Sequence, residues 1–233
     1  MSSVTRSIDS PNIVPIKRHG QLVPFFAVHG EGNVFFYAHL ARHLEKDRPM
    51  YALEACGLDG GPLPFSKLID YAAEYVRQVR NIQRSGPYCI GGYCLGAVIA
   101  FEMARQLLDA GHGVPLLVMF DTGPADIPVE DEHDHLIPKD IPETWKDVRD
   151  HYKTIVRNYQ PGNYSGRLVL IQSSRLQAQG MHRPVIDRIL DQYCESPERY
   201  GVDHSDGAMF REPCVKQVAA ILNRNLSLLD DPS

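Results

Sequence analysis

No run of eighteen or more apolar residues occurs in this chain of 233 residues, and the first twenty residues contain no apolar leader core. A membrane-spanning helix and a secretory signal are therefore not expected, and the reading is a cytoplasmic protein that does not engage a membrane. A basic stripe is missing as well. The 24 Lys and Arg are interspersed with 29 Asp and Glu for a net charge of -5, so nucleic acid is not an expected partner. The five cysteines, Cys56, Cys89, Cys94, Cys194 and Cys214, are odd in number, far apart and without a CxxC pair. That spacing argues against a disulfide framework and against a zinc site, and no metal is expected. Internal repeats are absent too, and 43% hydrophobic composition suits a single domain over residues 1–233 with one substantial core.

What is present is a series of short apolar runs that end in glycine-bearing turns. Pro24 to Val28 stops at His29-Gly30-Glu31-Gly32, Met50 to Leu53 is closed by the breaker-rich Gly57 to Pro62, and Tyr88 to Ile90 runs into Gly91-Gly92. Leu116 to Phe120 and Arg167 to Gln172 complete five expected strands. Helical spacing of apolar residues separates them at Val34 to Leu44, Lys67 to Gln83, Leu95 to Ala110 and Trp145 to Tyr159, with Gly111 placed for a left-handed cap. Alternating strands and helices predict an α/β fold, a mostly parallel sheet with helices on both faces and ligands at the carboxyl ends of the strands. Residues 1–11 read as a flexible lead-in. Residues 124–160 break the alternation and read as a short lid insertion, whose acidic cluster Glu130, Asp131, Glu132 and Asp134 is a solvated loop.

The segment Gly92-Tyr93-Cys94-Leu95-Gly96 has the G-x-nucleophile-x-G pattern between an expected strand and an expected helix. A nucleophile on such a turn is held in a strained backbone conformation, and the flanking glycines let helix and strand approach without a Cβ clash. Cys94 would then stand at a helix N-terminus, where the helix dipole favours a thiolate. The backbone N–H groups of Leu95 and Glu31 are the expected oxyanion hole. Phe35, Phe36 and Tyr37 are candidates for an apolar substrate pocket, and equally for the start of a core helix.

From Gly86-Pro87-Tyr88 through Gly91-Gly92-Tyr93-Cys94-Leu95-Gly96 to Met103-Ala104, the chain resembles the thioesterase domains that terminate nonribosomal peptide and polyketide synthetases, which have the α/β-hydrolase fold. The same resemblance covers His29-Gly30-Glu31-Gly32, Tyr51 to Gly60 and Met209-Phe210-Arg211-Glu212-Pro213, in the family's order. It implies a Cys94-His204-Asp121 triad, with Asp121 after the strand that follows the nucleophile helix. His204 precedes Met209 with four residues between them, where the family commonly has two, and His133, His135 and His151 remain competitors. The implied domain is monomeric, needs no cofactor of its own, and receives its substrate on the phosphopantetheine arm of an upstream peptidyl or acyl carrier domain.

Relatives usually carry serine where this chain has Cys94. A cysteine exchanges one thioester for another and keeps the acyl group activated, which favours attack by an internal amine or strained ring closure over hydrolysis. The resemblance includes members that close β-lactone or β-lactam rings with a cysteine here. The rivals are a hydrolytic editing thioesterase, a cysteine hydrolase of the dienelactone hydrolase kind, and a non-catalytic carrier-docking module.

Overall fold

A computed structural model describes residues 11–120, 142–173, 184–203 and 209–230. The five apolar runs form β2 (Phe25–Val28), β3 (Met50–Leu53), β4 (Cys89–Tyr93), β5 (Leu116–Phe120) and β6 (Leu168–Ser173). Two strands that the apolar pattern does not reveal, β1 (Ile13–Lys17) and β7 (Glu198–Val202), complete a seven-stranded sheet in the order β1-β3-β2-β4-β5-β6-β7. Both lie at edges, which is why their composition is uninformative. β1 contains Pro15, tolerated where one side of the ladder is open, and β7 buries only Val202. β1 runs antiparallel to β3, and every other neighbouring pair is parallel.

Among the described residues the helices are α1 (Tyr37–His43), α2 (Leu68–Ile82), α3 (Leu95–Asp109), α4 (Glu143–Arg157), α5 (Pro184–Gln192) and α6 (Cys214–Ser227). Strand residues alternate between two apolar clusters. Phe26, Val28, Ile90, Leu117 and Met119 face α2, α3, α4 and α5, whereas Phe25, Ala27, Cys89, Val118 and Phe120 face α1 and α6. Because both faces are covered, the central strands need apolar residues at every position, and they read as unbroken runs. Helix α1 starts later than its periodicity suggests. The amides of Tyr37, Ala38 and His39 donate to the carbonyls of Val34, Phe35 and Phe36, so a tight three-residue turn precedes the regular helix. Gly111 takes φ +76° after α3, as a left-handed cap requires. No disulfide joins the cysteines; Cys89, Cys194 and Cys214 are buried and Cys56 is half-buried.

Helix α3 is enclosed along almost its whole length, which makes its single buried carboxylate, Glu102, costly unless it is fully bonded. Three donors meet it: Tyr159 Oη at 2.6 Å, Arg105 Nε at 3.0 Å and Gln106 Nε2 at 3.0 Å. Burial, with the hydrogen bond to Glu102 beside it, holds the Tyr159 phenol well above its usual pKa. Truncating Glu102 would leave the Tyr159 hydroxyl without its acceptor. Glu102→Ala is expected to lower unfolding free energy by about 1–3 kcal/mol, read as a lower urea midpoint at unchanged slope; an unchanged midpoint would show that this network is not stabilising.

Candidate active site

Cys94 connects β4 to α3 with φ 53° and ψ -119°, and it is the single positive-φ residue other than glycine among the described residues. Its own main chain is anchored on both sides: its N–H donates to Phe120 O of β5 (3.1 Å), and its carbonyl accepts from Ala97 N (3.1 Å). The glycines of the motif are required by backbone approach. A Cβ on Gly92 would lie 2.2 Å from Gly96 O, and one on Gly96 would lie 1.8 Å from His29 O. The first turn of α3 is therefore pressed onto the segment that leaves β2. Leu95 is the first residue of α3, where an amide has no acceptor in a preceding turn of its own helix.

Glu31 stands in the turn after β2. His29 N donates to Leu53 O (2.9 Å) and Gly32 O accepts from Ala55 N (2.9 Å), so the turn is tied to the end of β3. The His29-Gly30 segment that leads into Glu31 lies against the Cys94 turn, since a Cβ on Gly30 would fall 2.5 Å from Tyr93 Cδ1 and one on Gly96 1.8 Å from His29 O. Of the three aromatic candidates, Phe36 and Tyr37 are buried and pack with Phe210, and Phe36 also meets Tyr93. Phe35 is 65% exposed. Tyr37 Oη donates to Val28 O at 2.8 Å. Its phenol is held well above the ordinary value by burial, and negative charge on the nearby Cys94 would raise it further, so Tyr37 stays neutral.

Asp121 and His204 lie outside the described residues, as do His133 and His135. The strands that precede the first two are in place, β5 ending at Phe120 and β7 at Val202. His151 is described and sits on α4, with Nε2 3.1 Å from Tyr71 Oη. Among the described residues, no group of three or more His, Cys, Asp and Glu is arranged to hold a metal ion, and no helix is long and apolar enough to cross a membrane.

Sequence reasoning overlooks two residues next to this site. His29 is fully buried, neither ring nitrogen makes a well-formed hydrogen bond among the described residues, and its ring faces the edges or planes of Tyr152 and Tyr75 at centroid distances of 4.7 and 6.3 Å. Burial pushes its pKa down to about 3, so the imidazole is neutral. Arg149 of α4 brings Nη1 to 3.9 Å from Glu31 Oε2. Trp145, Arg149 and Tyr152 recur at helical spacing, and that pattern could have flagged the face of α4 that meets the turn.

A family model of the thioesterase domain matches residues 24–161, more than half of the chain. The aspulvinone E synthetase of Aspergillus terreus is 38% identical over 113 residues, covering 48% of this chain and 12% of that protein. An atromentin synthetase of Serpula lacrymans is 37% identical over 113 residues, with the same two shares. The chain thus spans about an eighth of the length of these curated relatives. Among solved structures, the NocB thioesterase domain from the nocardicin cluster superposes with a TM-score of 0.72 at 24% identity, over 89% of this chain and 95% of that one. A four-domain nonribosomal peptide synthetase, holo-AB3403, matches with a TM-score of 0.74 at 19% identity, over 95% of this chain and 20% of that one. These likenesses show the α/β-hydrolase architecture.

Two outcomes follow from this geometry. The Cys94 backbone suits glycine better than any residue with a Cβ, so Cys94→Gly should be more stable than Cys94→Ala by about 1–2 kcal/mol in chemical denaturation; equal stabilities would mean that the turn carries no strain. For His29, the folded-state pKa lies below the ordinary 6.5, so between about 3 and 6.5 the unfolded chain binds the extra proton. Its contribution to stability is complete above pH 6.5 and is lost as pH falls toward 3. From pH 6.5 to 5.0 the native protein should lose stability more steeply than His29→Phe, by up to about 1.4 kcal/mol per pH unit. Parallel pH profiles would refute a neutral buried His29.

Proposed function

The chain belongs to the thioesterase domain family, and from that premise we propose that it releases an acyl or peptidyl chain from a carrier-protein phosphopantetheine thioester through a Cys94 acyl enzyme, with intramolecular cyclisation as the outcome. The observation that carries this reading is the positive-φ Cys94 at the strand-to-helix turn, a conformation that is costly for any non-glycine residue and is found where a nucleophile must be presented. Domains of this family need no cofactor of their own. The proposed partner is an upstream carrier domain, consistent with relatives that are multidomain synthetases much longer than this chain.

In the proposed mechanism His204 accepts the Cys94 thiol proton, with Asp121 orienting the imidazole, and the sulfur attacks the substrate's thioester carbonyl. The amides of Leu95 and Glu31 stabilise the oxyanion; losing one such donor typically costs about a hundred- to a thousandfold in rate. The tetrahedral intermediate collapses by breaking the bond to the carrier sulfur, which leaves with the proton from His204. His204 then deprotonates a nucleophile within the acyl chain, and its attack on the Cys94 thioester breaks the acyl–sulfur bond and frees the ring and the thiol. A four-membered β-lactam or β-lactone is the ring for which a retained thioester is most useful, because its formation needs an activated carbonyl. Water at molar concentration competes for that carbonyl, so the mechanism needs the reacting centre to be screened. In this reading the insertion between β5 and β6, including α4, acts as the lid.

Intact-mass analysis after incubation with an acyl-pantetheine thioester tests the reading. An adduct of the acyl mass is expected in the native protein and absent in Cys94→Ala; an adduct that persists in Cys94→Ala would place the nucleophile elsewhere. With a substrate bearing an internal nucleophile, the released product should equal the acyl chain without added water. A gain of one water would assign hydrolysis instead. His204→Ala should lose most turnover, whereas full turnover would transfer the base role to another histidine.

A further inference from the structure

Helix α4 meets the turn after β2 along one face. Trp145 Nε1 donates to Leu58 O at 3.1 Å, and the Leu58 side chain covers Gly32, where an added Cβ would lie 3.1 Å from it. Two turns further on, Tyr152 sets its ring across His29 and accepts a hydrogen bond from Cys56 N (3.1 Å) through its hydroxyl, which also bonds Tyr75 Oη (3.0 Å). Between these two anchors lies Arg149. Its Nη1 is 3.9 Å from Glu31 Oε2, and that oxygen and Arg149 Nε are both covered without a hydrogen-bond partner among the described residues. At 3.9 Å the two are not hydrogen-bonded, but their opposite charges face each other with the Arg149 and Glu31 side chains only 23% and 15% exposed. Arg149 Nε also lies 3.9 Å from Asp150, but the Asp150 side chain is 70% exposed and that attraction is screened. The covered oxygen of the Glu31 carboxylate is thus the one turned toward α4.

We propose that Arg149 is a positioning residue for acyl transfer: through the Glu31 carboxylate it fixes the direction of the Glu31 N–H, the second oxyanion donor, and so makes the oxyanion hole depend on α4 being seated. This rests on the reading of Cys94 as nucleophile and of the Glu31 amide as oxyanion donor. Glu31 follows directly on His29-Gly30, the segment that lies against Tyr93 and Gly96, so a tether on its side chain limits the freedom of the turn that carries its amide. A donor displaced by a fraction of an ångström loses part of its effect rather than all of it.

The test compares two reactions at Cys94, each quantified by site-resolved mass spectrometry. Acylation by acetyl-pantetheine passes through an oxyanion, whereas alkylation by iodoacetamide does not. Arg149→Met is expected to slow acylation roughly tenfold, less than outright loss of an oxyanion donor, with alkylation unchanged. Arg149→Lys should keep most of the acylation rate. Glu31→Gln, which preserves shape, should reproduce the Arg149→Met ratio and keeps the test decisive if Arg149→Met does not fold. Acylation at the native rate in Arg149→Met or, if that variant does not fold, in Glu31→Gln would overturn the proposal, as would parallel loss of both reactions. Failure of the underlying reading looks different: the native protein would be alkylated at Cys94 but never acylated there.

Discussion

The approach of the His29 carbonyl to Gly96 governs the architecture around Cys94. With only 1.8 Å available to a Cβ at Gly96, the start of α3 and the end of β2 touch main chain to main chain. That contact fixes how far α3 can lie from the sheet, and with it the sharpness of the turn that Cys94 must make between β4 and α3. The positive φ of Cys94 is then a consequence of geometry imposed on both sides. Strain of this kind persists only where the surroundings over-determine it, and here they do, through the bond to Phe120 O and the first turn of α3.

Around this contact the protein places polar groups that have little access to water. Tyr75 and Tyr152 satisfy each other and the Glu54 and Cys56 backbone, so the layer between α2 and α4 is held by hydroxyls as well as by apolar packing. His29 lies inside that layer against both tyrosine rings, and burial keeps it neutral. Glu31 and Arg149 face each other at 3.9 Å, both half-buried. The insertion helix α4 thus meets the turn after β2 through an aromatic contact and an ion pair, and the segment after β3 through hydrogen bonds to Cys56 and Leu58.

The central sheet and α1 to α4 were legible because strands buried on both faces and amphipathic helices leave distinct periods in a sequence. The edges were not, since β1 carries Pro15 and β7 alternates around Gly201, and neither has an apolar run to mark it. The tight turn at Cys94 was readable from Gly92 and Gly96, whose spacing states a steric requirement that the structure contains. Arg149 and His29 were not, because what distinguishes them is an approach between segments far apart in the chain, and no local pattern encodes that distance. Asp121 and His204 rest on resemblance, and both lie outside the described residues.

The anchoring of Cys94 by its own main chain has an evolutionary corollary. The turn is held by the Cys94 amide, the Cys94 carbonyl and the two glycines, none of which involves the Sγ atom. On the proposed reading, replacing sulfur by oxygen at this position would keep these main-chain contacts while altering how much chemical potential an acyl enzyme retains. A lineage built on this turn could then pass between energy-conserving and energy-dissipating release by exchanging one atom, without first rebuilding the main chain that presents it.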